Sequence, residues 1–494
     1  MIHFLRKYLF PLFIFSGFIF FVFIKEAHTQ NMAGIVSDRY SGVNRGMINP
    51  ALLYHSPYCI DFSLVTAHIG VQNNYLYLPA GDFRAGDFIR FRSRILENYD
   101  NYFSERQQEE LYNGFLYGRL QGPSVRFRYK KHVFAFTNAL RTMSSANSIP
   151  GHMLRFARRG LTYSPQHDII YTEPKPFQMA TMGWLEAGVS YATELLGQRS
   201  YSLTAGASAR LLLPYHAASA RSNELDYLVT PQRDVFINRF DFEAYGALPM
   251  NYNTLEFTGT DNLIRGSGFS FDLGISYTKN SQNFRKKGRD RLYTASRDEP
   301  YNYQLSFSLL DVGFVNMTQN TRYNNFEEVA LVWENPQTET YNNFDDMLDD
   351  MEEGLISGEI TRTEGESFRM YLPTAASIQA DYSLGNNFFA YFLWVQDLPV
   401  AKTRVSRPSY IGFVPRYETR WFSISLPLTL HEYKLPRAGI ALRMGFLTIG
   451  AEQAGGILNI NDMDGMDVYF SIQWGLENCK RKPKSKNPCL DYWH

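Results

Sequence analysis

The sequence predicts an all-β protein, a transmembrane antiparallel up-and-down β-barrel of 12–14 strands with long extracellular loops that carry short helices. Three observations predict it. An export leader opens the chain. Apolar residues then alternate with polar or small ones over segments of about ten residues, the length a tilted strand needs to cross a bilayer. Long and short connections between those segments also alternate, as they do in outer-membrane barrels.

The leader is read first. Arg6 and Lys7 precede the uncharged, almost wholly apolar run 8–24, and Ala27-His28-Thr29 follows. A basic start, an apolar stretch and small residues at alternate positions describe a secretory signal peptide, here residues 1–29 with cleavage near Thr29-Gln30. No cysteine sits at that site, so no lipid anchor is expected. The longest later apolar run, Phe388 to Val395, is too short for a membrane helix.

Barrel strands are expected between residues 59 and 476. In the segment from Ser202, Leu203, Ala205, Ala207, Ala209 and Leu211 make one face, while Ser202, Thr204, Gly206, Ser208 and Arg210 make the other. Phe269, Phe271, Leu273 and Ile275 oppose Ser270, Asp272 and Gly274 in the same way. Successive strand side chains point to opposite faces, so one face meets lipid and the other the lumen. A soluble sandwich also alternates, but its strands are shorter. The twelve segments are 60–71, 122–130, 132–142, 182–195, 201–213, 267–279, 301–316, 371–384, 388–397, 411–429, 437–452 and 466–476.

Two of these slip phase. In 411–429, Arg416, Glu418 and Arg420 share a parity with Phe422 and Ile424, which predicts a bulge near Trp421 or a rise of the strand out of the membrane. In 437–452 the phase breaks at Gly445, so the stretch is one strand or two. Helices are expected in the loops at Ser104 to Tyr117 and Phe344 to Leu355, the latter with Met347, Leu348 and Met351 at helical spacing among acidic residues.

The chemistry is sparse. A formal net charge of zero gives no pull toward nucleic acid. The ten histidines form no recognisable catalytic pair with a nearby serine or cysteine, so no enzyme and no cofactor is expected. Asp462, Asp464 and Asp467 alternate near a turn but make an incomplete calcium set, and no metal site is expected. Of three cysteines, Cys479 and Cys489 flank the basic stretch of the tail (477–494) and are the candidate disulfide, leaving Cys59 free. Parity turns Arg126, Arg128, Glu186, Arg210, Asp272, Gln304, Gln379 and Asp381 into the lumen. An arginine facing mid-membrane lipid costs about 2–4 kcal/mol, which argues the three arginines inward. Their mixed signs suggest internal salt bridges rather than a selective ion ring.

Between leader and first strand lies the stretch Tyr40-Ser41-Gly42-Val43-Asn44-Arg45-Gly46-Met47-Ile48-Asn49-Pro50-Ala51. Its triplet Asn49-Pro50-Ala51 resembles the N-terminal hatch of FadL-like outer-membrane transporters of hydrophobic compounds. It is also similar to the start of barrels tied to Bacteroidetes-type secretion and gliding machinery. More widely, Gly122-Pro123-Ser124, Glu186 to Leu213, Gly268 to Tyr277, Leu309-Leu310-Asp311-Val312-Gly313, Leu372-Pro373-Thr374, Pro415 to Pro427 and Leu435 to Gly450 resemble an uncharacterised outer-membrane barrel family of Bacteroidetes-type bacteria. The resemblance implies that residues 30–58 fold back into the lumen as a plug. Two functions are expected from it. One is passive transport of small or hydrophobic molecules past the plug. The other is a structural or docking barrel serving secretion, motility or surface attachment. The expected partners are outer-membrane lipid and lipopolysaccharide, with a hydrophobic cargo or a periplasmic secretion partner.

Overall fold

Alternation with period two becomes a wall when each strand pairs with both neighbours. The computed structural model describes residues 32–80, 103–107, 110–198, 200–250, 252, 263–280, 301–336, 341, 344–454 and 462–476. Residues 1–29, expected to be a signal peptide, and the tail with Cys479 and Cys489 lie outside them. Fourteen antiparallel strands make up the wall. They are β1 (Ile60–Asn73), β2 (Leu111–Gln121 and Ser124–Tyr129), β3 (His132–Pro150), β4 (Phe177–Gly197) and β5 (Tyr201–Val229). Next come β6 (Val235–Ala247 and Gly266–Lys279), β7 (Tyr303–Met317 and Thr321–Trp333), and β8 (Leu355–Glu364, Phe368–Tyr371 and Ala375–Gly385). Then follow β9 (Phe388–Asp397), β10 (Tyr410–Glu418) and β11 (Phe422–Ser425 and Leu428–His431). The last three are β12 (Leu435–Ala438 and Ile440–Met444), β13 (Leu447–Ala451) and β14 (Gly465–Leu476). The sheet closes on itself through β1 and β14, paired from Ile60 with Leu476 to Gln72 with Gly465. Closure leaves no sheet edge in the membrane zone, which a bilayer requires because it offers the backbone no hydrogen-bond partners.

Both phase slips are hairpins. Glu418 ends β10, Thr419 N–H donates to Phe422 O at 2.7 Å, and β11 starts at Phe422, so 411–429 is two strands rather than one bulged strand. The turn resets the phase: Arg416 and Glu418 face inward on one strand, and Ser423 and Ser425 on the next. Gly445, at a φ of 59°, turns β12 into β13 in the same manner. Ser104 to Tyr117 is not helical: residues 104–105 pair with 76–77, and β2 begins at Leu111. The stretch joins the sheet because Phe115 and Tyr117 alternate on its buried face, and a bulge between Tyr112 and Gly114 brings Tyr112 to the same face.

The outer surface of the wall is apolar. Val189, Leu211 and Leu273 are 61%, 56% and 55% exposed, within a belt that also holds Phe136, Phe307, Phe413 and Ile449. A patch of that extent has no place in water, whereas lipid solvates it. Tyr201, Tyr277 and Tyr303 stand side by side toward the end where Ile60 pairs with Leu476, with ring centroids 5.8 and 6.2 Å apart, as an interfacial girdle would. Leu273→Arg is accordingly expected to lower folding stability in lipid bilayers by about 2–4 kcal/mol. Denaturant titration in lipid vesicles reads this directly, and an unchanged midpoint would mean that Leu273 does not face lipid.

At the opposite end the wall is uneven. Much of the expected long loops is strand: β5 runs 29 residues, about three times what a membrane crossing needs. Strands β3 to β8 thus rise into a crown with its own core. Ile149, Leu225, Val229 and Phe326 pack there with Phe156 of a helix at Gly151–Arg159 and Leu348 of a helix at Phe344–Glu353. The acidic side chains of the second helix meet crown arginines, Asp345 with Arg322 at 2.7 Å and Asp349 with Arg362 at 2.6 Å.

His152 ties the crown together. It lies 2.6 Å from the Tyr227 hydroxyl and 2.7 Å from Glu173, and its ring stacks on Tyr171. Burial outweighs the pull of Glu173 and lowers its pKa below the ordinary 6.5. A neutral ring donates from Nε2 to Glu173 and accepts from Tyr227 at Nδ1. A depressed histidine contributes stability that is complete above its unfolded pKa and is lost as pH falls through the folded one. Amide protection factors across residues 151–173, corrected for the intrinsic pH dependence of exchange, should therefore fall between about pH 7 and pH 5, and His152→Gln should remove that dependence. A flat profile in the parent chain would refute it.

Candidate functional site: the lumen and its two inserts

The lumen is interrupted by two pieces of chain, each shaped by local sequence. The first is residues 32–58, made of a short helix, Ala33–Val36, and two 3-10 helices, Arg39–Met47 and Pro50–His55. Asp38 caps the first 3-10 helix through Tyr40 N–H at 2.8 Å, and Asn49 caps the second through Ala51 N–H at 2.9 Å. Pro50 suits the first helical position, where no N–H is needed and a fixed φ helps. The Asn49 amide also donates to Phe307 O at 3.0 Å and Gln379 Oε1 at 2.9 Å, which links the cap to two wall strands. Ala51, fully buried, lies on Gly206 of β5, where a Cβ would sit 2.5 Å from Ala51 N. Gly206 pairs with Gly274 of β6, so two adjacent glycines form the seat of the Asn-Pro-Ala turn.

Polar contacts ring this segment. Arg39 Nε donates to Glu418 at 2.5 Å and Arg443 to Asp38 at 2.7 Å. Asn44 donates to Thr66, Ser471 and Gln473 at 2.8–3.0 Å and accepts from Gln121 at 2.9 Å. Arg126, with no exposed surface, donates to Leu53 O, Tyr58 O and Asp61 at 2.5–2.9 Å. The Arg128 guanidinium covers the Tyr54 ring at 4.3 Å. Gln304 accepts from Arg45 at 3.2 Å, and Asp381 accepts from Tyr301 at 2.6 Å and from Arg416 at 2.8 and 3.1 Å.

Above the segment lies a charge cluster that holds the other predicted lumen residues. Glu186 pairs with Arg119 at 2.9 Å and Arg141 at 3.3 Å. Asp272 is clasped by Arg210, with one arm at 2.9 Å. At the centre is Asp311, which accepts from Arg141 at 2.8 and 3.1 Å and pairs with Arg407. Sequence reasoning missed Asp311 because strict alternation turns it toward lipid. A bulge brings both Leu310 and Asp311 inward, with Asp311 at a φ of 51°. A carboxylate at a lipid parity was itself the signal, since such a position demands a bulge. Arg119, Arg141 and Asp61 were also missed, though each shares the parity of its strand's polar face.

The second insert is the connection 398–409, which folds inward from the crown end. Arg407 binds Asp311, Gln178 donates to Lys402 O at 2.9 Å, Ser406 N–H donates to Ser145 at 3.1 Å, and Val405 is fully buried near Trp184 and Leu372. Beside and above it opens a polar vestibule of about 330 Å³, lined among others by Gln178, Arg221, Asp397 and Glu432. Between the two inserts a smaller chamber of about 80 Å³ remains.

The remaining predicted residues serve structure. Cys59, expected to be free, is disulfide-bonded at the foot of β1. Asp464 pairs with Arg437 at 3.2 Å, Asp462 accepts from Ala80 N–H at 3.0 Å, and Asp467 takes the backbone N–H groups of Glu452 and Gln453.

The profile of a family of unknown function (DUF5723) matches residues 50–452. No curated protein sequence matches the chain. Among solved structures, the toluene transporter TbuX of Ralstonia pickettii is similar at 8% identity, over 88% of this chain and 94% of that one, with a TM-score of 0.39. The toluene transporter TodX of Pseudomonas putida is similar at 10% identity, over 90% and 94%, with a TM-score of 0.30. The monoaromatic hydrocarbon channel CymD is similar at 9% identity, over 88% and 93%, with a TM-score of 0.32.

Proposed function

The chain belongs to that family of unknown function, and from the build of its lumen we propose a gated transport barrel of an outer membrane, through which small molecules pass without energy input when residues 32–58 yield. The observation that carries this reading is that the lumen is divided rather than filled. A vestibule, an inserted loop, a chamber and a seated segment follow one another along it. Many of the segment's contacts are hydrogen bonds and ion pairs, which water can replace at a net cost of roughly 0.5–1.5 kcal/mol per hydrogen bond. This reading agrees with the FadL-like expectation drawn from Asn49-Pro50-Ala51. The test is solute influx into liposomes carrying the chain, slow while the segment is seated and faster once it is displaced. Influx that ignores the segment's position would refute transport.

A docking role is the second reading, and the crown favours it. The crown has its own apolar core and two helices, more structure than a pore mouth needs. Co-purification of a partner that is lost when the crown is trimmed, from a barrel that passes no solute, would decide for docking.

A further inference from the structure

The chamber between the inserts has a definite chemical character. Its floor is apolar, formed by Met32, Val36, Met47 and Ile48 of the N-terminal segment. Its other sides carry the guanidinium groups of Arg119, Arg141, Arg210 and Arg407. Three carboxylates answer those four cations, Glu186, Asp272 and Asp311, and each is already engaged by arginine. Within this group of seven side chains one positive charge is left over. Consistent with that excess, the buried Nε atoms of Arg119 and Arg407 make no hydrogen bond among the described residues. A buried donor without an acceptor is costly, and a buried charge in excess more so.

We propose that the chamber binds a small monoanion with a short apolar body, a carboxylate of two or three carbons being the simplest form. The carboxylate would meet the spare Nε–H donors of Arg119 and Arg407 and cancel the excess charge, while the alkyl end rests on the methionine and isoleucine floor. Size sets the limit: a cavity of about 150 Å³ admits benzene, and this one, at about 80 Å³, takes something smaller. The apolar floor disfavours strongly hydrated anions such as phosphate. The proposal rests on the gated-transport reading, because the chamber lies between the two inserts and the passage that reading opens is the route by which a ligand reaches it.

The test refolds the full chain into non-ionic detergent in the presence of sodium propionate, of propionamide (its neutral counterpart), or of sodium chloride at matched ionic strength. Refolding with the ligand present gives it access whatever the inserts do afterwards. Propionate should raise the thermal unfolding midpoint in a saturable way, with propionamide and chloride without effect. In Arg119→Gln the propionate shift should vanish while the barrel still folds, because Glu186 keeps Arg141. Arg119→Lys, which keeps the charge but loses the Nε donor, should retain part of the shift. Equal shifts from propionamide or chloride, or no saturable shift, would overturn the assignment. Liposome influx read in parallel separates the two claims. Saturable binding with influx indifferent to the N-terminal segment would remove the transport reading and leave the site. Segment-dependent influx without saturable binding would do the opposite.

Discussion

Gly206→Val should expel the Asn49-Pro50-Ala51 turn from its seat while the fourteen-strand wall stays closed. Valine suits β5 itself, since β-branched residues are favoured in strands. Its side chain, however, points at backbone. An added Cβ would lie 2.5 Å from both Ala51 N and Pro50 C, and no rotamer change moves backbone atoms aside. Overpacking of this kind typically costs 1–3 kcal/mol. If that cost falls on the seated state, the open population rises roughly 5- to 150-fold. Solute influx into liposomes should increase within that range. Gly114→Val is the control, because the nearest atoms to a Cβ there are 3.9 Å away, and it should leave influx unchanged. Influx at the parent rate in Gly206→Val, with residues 32–58 still protected from protease, would show that the segment is not the barrier. Retained heat-modifiable migration in gels would certify the wall in both variants.

The seat also shows where the sequence was legible and where it was not. Alternation is a local property, so the parity of Ser202 to Leu211 could be read without knowing any partner. Phase slips at Trp421 and Gly445 were visible too, but a slip alone does not distinguish a bulge from a turn. The hydrogen bond of Thr419 to Phe422 that decides it depends on which strands become neighbours. The pairing of Gly206 with Gly274 joins residues far apart in sequence, and neither glycine signals a seat alone. The crown is hidden in the sequence because a long connection between membrane strands reads as a loop even where it is itself strand. Ala217 to Val229 and Val235 to Ala247 continue the sheet, yet they lie beyond any bilayer and carry a weaker alternation of lipid and lumen faces. The inward fold of 398–409 had no local mark, since Arg407 becomes meaningful only opposite Asp311.

Asp311 is where the barrel's internal electrostatics converge, and Asp311→Asn should cost about 3–5 kcal/mol, the usual cost of stripping one partner from a buried ion pair. Arg141 and Arg407 would lose their shared carboxylate, and Arg210, 3.7 Å away, a second one. Four guanidinium groups would then face only Glu186 and Asp272. Asparagine isolates the charge because it tolerates the left-handed backbone that Asp311 adopts at a φ of 51°. Asp311→Ala adds backbone strain of roughly 1–2 kcal/mol and should be worse. The lost pair also anchors the crown-side insert, whose Lys402 and Arg404 are trypsin sites in the sequence, Arg407 being shielded by Pro408. Cleavage within 398–409 should therefore appear in Asp311→Asn under conditions that spare the parent. Adding Arg407→Gln removes one orphaned cation, so the double variant should regain part of the stability, the non-additivity expected of coupled neighbours, while its insert stays open to protease. A stable Asp311→Asn barrel with a protected insert would mean that the arginines find other counter-charges and that Asp311 holds nothing in place.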